Sequence, residues 1–240
     1  NMSASVARMD EQTAWACSGV AVRPVPLPAD CAPEALTDTL RALSADGAVH
    51  GVLLLRPLPE ALRAQELLDT LDARKDVDGM TTRSLGALVT GAAGFAPCTA
   101  EACMELLRAH GIDLAGRRVT IVGRSLVIGR PAALLLTRAD ATVTLCHRKT
   151  PDLAARCRDA DILLAAAGAP GLITTDFVRP GQIVLDAGAT ALPDGTLRGD
   201  VAPEAAAIAV CTPVPGGIGS VTTALLLRHT VQAAENLRHF

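Results

Sequence analysis

Apolar positions in this chain fall into short runs separated by stretches with helical spacing. That alternation predicts an α/β fold with a mainly parallel sheet. Val119–Val122, Thr142–Cys146, Asp161–Ala167, Ile183–Ala187 and Ala207–Cys211 have the length and composition of buried parallel strands. Two earlier runs read as strands as well. Val20–Val25 is ended by Pro24, Pro26 and Pro28, and Val49–Leu55 is stopped by Pro57 and Pro59. Helices are predicted over residues 7–18, 32–45, 60–71, 99–110 and 221–237, with Leu36, Leu40 and Leu43 on one face of the second. Lys75–Met80 is a turn-rich loop, and the chain has neither internal repeats nor low-complexity segments.

The segment Arg118–Thr150 orders these elements as strand, glycine turn, helix, strand and a basic tip. Gly123 breaks the first strand. Gly129 and Pro131 then open an Ala/Leu-rich helix, with proline where a first turn tolerates it. A helix N-terminus after a buried strand presents unpaired backbone N–H groups to a phosphate. The second strand ends in His147, Arg148 and Lys149, where an NAD site would hold an acidic residue for the ribose 2′-hydroxyl. With Arg124 in the turn, these cations suit a 2′-phosphate, so NADP is the expected cofactor and NAD the alternative. The glycine spacing is GxxxxxG, which departs from the generic GxGxxG fingerprint, so the strand–turn–helix–strand context carries the reading.

Composition narrows the remaining classes. Half of the 240 residues are hydrophobic, enough for a large core in one or two domains. A net charge of −3, three phenylalanines, one tryptophan and no tyrosine exclude a nucleic-acid surface built from basic and aromatic residues. Seven cysteines without CxxC spacing argue against a disulfide framework or a zinc site, and the histidines show no metal-ligand spacing. With no apolar run of membrane-spanning length and no signal pattern, a cytoplasmic protein is expected. Cys98, Cys146 and Cys211 read as small buried hydrophobes, and Asp200 as a structural loop residue.

Four motifs then occur in a characteristic order: RPLP at Arg56–Pro59 with KDVDG at Lys75–Gly79, FAPCT at Phe95–Thr99, VGRSLVIGRP at Val122–Pro131 with ATVTLCH at Ala141–His147, and TPVPGGIG at Thr212–Gly219. Together they resemble the bifunctional methylenetetrahydrofolate dehydrogenase/cyclohydrolase family over nearly the whole chain. The resemblance implies two α/β domains flanking a cleft. One is a folate-type domain from residues 1–99 and 219–240, the other a Rossmann-type NADP domain from 100–218. It further implies a homodimer that oxidises 5,10-methylenetetrahydrofolate and hydrolyses the methenyl product. Carried onto this chain, Gly123, Arg124, Ser125 and Gly129 form the cofactor turn, and Arg148 meets the 2′-phosphate with His147 beside the ribose. Gly168 and Ala189 lie in further cofactor loops. Pro215, Gly216 and Gly217 line the cleft, and Asp78 holds the pterin by accepting its amino and ring N–H groups.

The chain departs from the family where the acid–base chemistry sits. Counting back from Cys17 places Met9 at the family's tyrosine and Thr13 at its lysine, and Leu55 stands where a glutamine is usual. The helix and strand that the family carries before this point are also missing, so a smaller first domain is expected. Methenyl hydrolysis needs an activated water and a proton carrier, which neither Thr13 nor Leu55 supplies. The expectation is therefore an NADP-dependent dehydrogenase that has lost the cyclohydrolase step. A family member repurposed for another substrate and a non-catalytic binding protein of the same fold are the alternatives.

Overall fold

The computed structural model describes residues 19–238. The chain divides into two compact units, residues 97–222 and the remainder on either side.

Before residue 97 the described helices are α1 (Pro33–Ala45), the short α2 (Gln65–Leu68) and α3 (Thr82–Thr90). Proline at the first turn of α1 gives up no intrahelical bond, and Leu36 and Leu40, four residues apart, are both buried. They form a cluster with Val52, Leu62 and Leu71. Helix α3 starts at Thr81, whose side chain accepts the Ser84 amide, and it ends at Gly91 in the left-handed conformation. The region differs from its hydrophobic pattern in several places. Val20–Val25 forms no strand; Val22 and Val25 are exposed, and the proline at 24 offers no N–H to a ladder. Among the described residues Val49–Leu55 contributes a single parallel bridge, Val52 to Asp76. The helix expected over 60–71 breaks into a 3₁₀ turn at Glu60–Leu62 and α2, because Ala64 is extended between them.

The second unit contains α4 (Cys98–Ala109), β1 (Arg118–Val122), α5 (Gly129–Arg138), β2 (Thr142–Cys146), α6 (Leu153–Asp159), β3 (Ile162–Ala165) and β4 (Ile183–Asp186). It continues through the hairpin of β5 (Thr190–Ala191) and β6 (Leu197–Arg198), then α7 (Pro203–Ala206) and β7 (Val210–Cys211). A final helix, α8 (Ile218–Arg238), closes the described chain. The main sheet has five strands in the order β2-β1-β3-β4-β7, all parallel. β1, β3 and β4 are buried along almost their whole length, while β2, at the sheet's edge, buries fully only Cys146. Unbroken apolar runs suit strands covered on both faces, which is why the central strands were legible as sequence. Val122, Cys146, Leu163, Ala165, Ile173 and Val184 join one core cluster. Helices α3 and α6, nine and seven residues long, are not among the helices that the hydrophobic pattern predicts.

Among the described residues no helix is long and apolar enough to cross a membrane, and no group of three or more His, Cys, Asp or Glu could hold a metal ion.

Candidate functional site

The sheet order fixes where a ligand would sit in the second unit. The chain runs outward from β1 to β2 in one direction and to β3, β4 and β7 in the other, so the topological switch lies at the carboxyl ends of β1 and β3. The loops leaving those ends touch. Gly123 has φ 128°, and a Cβ there would lie 2.0 Å from the Ala166 carbonyl oxygen. A Cβ on Gly129 would come as close to the Gly123 carbonyl, again 2.0 Å. The two glycines therefore let the turn fold back onto the start of α5 and onto the β3 loop. The Ser125 hydroxyl accepts the Ile128 amide at 3.2 Å, and its carbonyl accepts the Arg130 amide at 3.1 Å. Arg124 stays exposed in the turn.

β2 ends beside this turn in its own closed loop. The His147 amide donates to the Thr150 hydroxyl at 2.9 Å, and the Thr150 amide returns to the His147 carbonyl at 2.8 Å. The Lys149 amide donates to His147 Nδ1 at 3.1 Å, so that ring nitrogen serves the turn as an acceptor. Arg148 and Lys149 project as exposed cations. A backbone cradle that a side chain would fill, flanked by exposed cations on adjacent strand ends, fits a dinucleotide carrying an extra phosphate.

Two buried aspartates organise the neighbouring loops. Asp200, fully buried, accepts three successive amides from the β3 loop: Ala167 at 2.5 Å, Gly168 at 3.0 Å and Ala169 at 2.7 Å. Asp186, the last residue of β4, accepts the amides of Gly188 at 3.0 Å, Asp200 at 2.9 Å and Val201 at 3.0 Å. Burial pushes the Asp186 carboxyl above its ordinary range; the three amides oppose this, and the Asp200 charge adds to it. Gly168 therefore lies in a loop held by Asp200, and Ala189 follows a residue held by Asp186. Beyond β7, Pro215 and Gly216 are exposed and Gly217 is buried, with a cis peptide between Val214 and Pro215.

In the other unit the KDVDG loop is fastened by its flanking side chains. Lys75 is buried, and its ammonium donates to the carbonyls of Leu43 at 3.2 Å, Ser44 at 2.7 Å and Asp46 at 2.8 Å, where α1 ends. Asp76 accepts the Met80 amide at 3.0 Å, the Thr81 amide at 2.7 Å and the Ser84 hydroxyl at 2.7 Å. From α8, the buried His229 imidazole bonds the Val77 carbonyl at 2.9 Å and stacks on Phe95 with ring centroids 4.6 Å apart. Asp78, half-buried, borders a cavity of about 20 Å³ with Leu40, Val52, Leu54 and Arg56, room for roughly one water. Leu55 is 40% exposed.

The expected site residues thus separate into groups. Gly123, Arg124, Ser125, Gly129, His147, Arg148, Gly168, Ala189 and Pro215–Gly217 all follow the carboxyl ends of strands in one sheet. Asp78 and Leu55 belong to the other unit, and Met9 and Thr13 lie outside the described residues. Sequence reasoning gave no role to Lys75, Asp76, Asp186 or His229. The one available signal was an aspartate ending an apolar strand run, as in Ile183–Asp186. Cys103, Cys157 and Cys211 are packing residues: burial pushes the Cys103 and Cys157 thiols up to about 12 and Cys211 to about 11, so these three are not reactive thiolates.

Comparison with known proteins places this geometry. Residues 97–238 match the tetrahydrofolate dehydrogenase/cyclohydrolase NAD(P)-binding domain, and residues 2–78 match the catalytic domain of the same description. Bifunctional protein FolD 1 of Rhodococcus jostii (strain RHA1) is 49% identical over 238 residues, covering 94% of this chain and 80% of that protein. The crystal structure of the bifunctional methylenetetrahydrofolate dehydrogenase/cyclohydrolase FolD from Campylobacter jejuni is 37% identical, with a TM-score of 0.91 over 97% of this chain and 84% of that one. The Trypanosoma brucei enzyme, solved with NADP cofactor and an inhibitor, is 36% identical with a TM-score of 0.87, over 95% of this chain and 84% of that one.

Proposed function

Because the chain belongs to the tetrahydrofolate dehydrogenase/cyclohydrolase family, we propose that it oxidises 5,10-methylenetetrahydrofolate to the methenyl form with NADP and has lost the cyclohydrolase step. The observation that carries the dehydrogenase reading is the glycine cradle between β1 and β3 with exposed cations at the neighbouring strand ends. A bound nicotinamide supplies a hydride acceptor. The chain's own residues hold and orient. The turn from Gly123 to Gly129 would receive the pyrophosphate, and Arg148 and Arg124 would neutralise the 2′-phosphate. Pro215–Gly217 line the substrate side. Asp78 accepts hydrogen bonds from the pterin, on a loop already fixed by Lys75 and Asp76. Hydride transfer needs this positioning more than acid–base groups.

Loss of the cyclohydrolase step rests on Met9, Thr13 and Leu55. A threonine hydroxyl carries no charge at neutral pH and cannot stabilise or deliver a proton as an ammonium does. Leu55 presents an exposed apolar side chain where the family has a polar one. That same substitution favours, as a second reading, a different and more apolar substrate. We further propose a cytoplasmic homodimer as the working form, checked by light scattering on the purified chain.

The test supplies 5,10-methylenetetrahydrofolate with NADP or NAD and follows reduced cofactor, then supplies the methenyl compound alone and follows its hydrolysis. Reduction favouring NADP, with methenyl hydrolysis at the buffer rate, is expected. Enzymatic hydrolysis of the methenyl compound would overturn the loss. Absence of turnover with bound NADP would shift the reading to another substrate. Installing Met9→Tyr, Thr13→Lys and Leu55→Gln together is expected to restore hydrolysis.

A further inference from the structure

Asp186 and Asp200 stand out because burying two carboxylates side by side is costly unless something needs their geometry. Both are at most 3% exposed. None of the ion pairs among the described residues reaches either one. Instead, six backbone amides converge on the pair. The arrangement is a chain of two nests, each filled by a side-chain carboxylate. Asp186 collects the amides on both sides of the β5–β6 hairpin: Gly188 before it, Asp200 and Val201 after it. Asp200, fixed in this way, collects Ala167, Gly168 and Ala169 in the loop after β3. The fit leaves no slack, since a Cβ on Gly199 would lie 2.0 Å from Asp186 Oδ2.

The loops so held are those at the sheet's carboxyl edge. Ala166 is the residue whose carbonyl Gly123 approaches, and it directly precedes the amides that Asp200 gathers. The strand ladder ends just before, with the Ala166 amide on the Val122 carbonyl at 2.8 Å and the Ala187 amide on the Ala165 carbonyl at 2.8 Å. Beyond that point the backbone direction of both loops is set by the two carboxylates. We infer that Asp200 and Asp186 are positioning residues for the dinucleotide, acting through the backbone of residues 166–169 and 188–189 without touching it. This rests on the dinucleotide reading of that edge.

The test is direct titration of purified wild-type protein and variants with NADP, alongside thermal melting and amide hydrogen exchange. Asp200→Asn replaces one acceptor oxygen by a donor facing amides. It is expected to raise the NADP dissociation constant about tenfold or more, roughly 1.4 kcal/mol, and to speed exchange at Ala167–Ala169. Asp186→Asn retains one acceptor oxygen and is expected to give a smaller rise in the same direction. Gln182→Leu is the control. Gln182 is buried and bonds the Cys157 and Ala160 carbonyls at the opposite end of the strands, so its loss should lower the melting temperature and leave NADP affinity unchanged. If Asp200→Asn does not fold, Asp186→Asn decides. A folded aspartate variant with wild-type NADP affinity overturns the inference, as does a Gln182 variant that weakens NADP equally. Wild-type protein that binds neither NADP nor NAD overturns the dinucleotide reading together with the inference.

Discussion

The two compact units hold their loops by different means. In residues 97–222 a parallel ladder brings the strand ends to a common edge, and two buried carboxylates gather the amides just beyond it. Around the KDVDG loop the ladder reduces to the Val52–Asp76 bridge, and side chains from distant segments do the fastening: Lys75 onto α1, Asp76 onto α3 and His229 from α8. A ladder spreads its hydrogen bonds over many residues. A loop held by single side chains concentrates the same task in a few, so each should be individually expensive to remove.

The largest effect should follow a break at the cradle itself. Gly123→Ala places a methyl against the Ala166 carbonyl at a φ that side chains avoid. It should cost about 3 kcal/mol in denaturant melts and abolish measurable NADP binding; retained affinity would show that the close approach is dispensable. Next, Lys75→Met leaves three carbonyls at the end of α1 without their donor. A loss of about 2–3 kcal/mol is expected, larger than that of Gln182→Leu in the ladder-rich unit. Equal losses from the two would erase the contrast drawn above. Third, Arg148→Ala should reduce the preference for NADP over NAD about tenfold, or ~1.4 kcal/mol, read from the ratio of kcat/KM values.

The smallest effect concerns pH. The Arg118 guanidinium and amide hold the Asp161 carboxyl at about 2, below its ordinary 3.8. Because the folded value is depressed, its contribution is fully present above pH 3.8 and is lost as pH falls through about 2. The pair is solvent-accessible, so the contribution should stay under about 1 kcal/mol. Asp161→Asn should flatten the stability profile in that window and lower stability at pH 7 by that same amount, under about 1 kcal/mol.

Legibility followed the same division. β1, β2, β3 and β4 were readable because a strand covered on both faces must be apolar, and the edge strand β2 still carries Val143, Leu145 and Cys146. Helix α3 was not, because it is short and its start is set by the hydrogen bonds of Thr81 and Asp76. Val49–Leu55 reads as a strand, yet among the described residues only Val52 pairs, since strand length depends on a partner that the run does not specify. The RPLP, KDVDG and PVPGG motifs located the candidate loops. They did not separate the half-buried aspartate, Asp78, from the buried one that builds the loop, Asp76.

What this sequence determined by itself was local: the buried strands, the two-glycine turn, the cations at the tip of β2, and the absence of a lysine at position 13 or a glutamine at position 55. Each follows from hydropathy, backbone sterics or the identity of a single residue. Only the tertiary structure decided which polar side chains are interior. Asp186 needs the Val201 amide 15 residues away, Asp200 needs Ala167 at 33, and His229 reaches Val77 across 152. A charge can be buried only where several donors converge, and that convergence is a property of the folded chain.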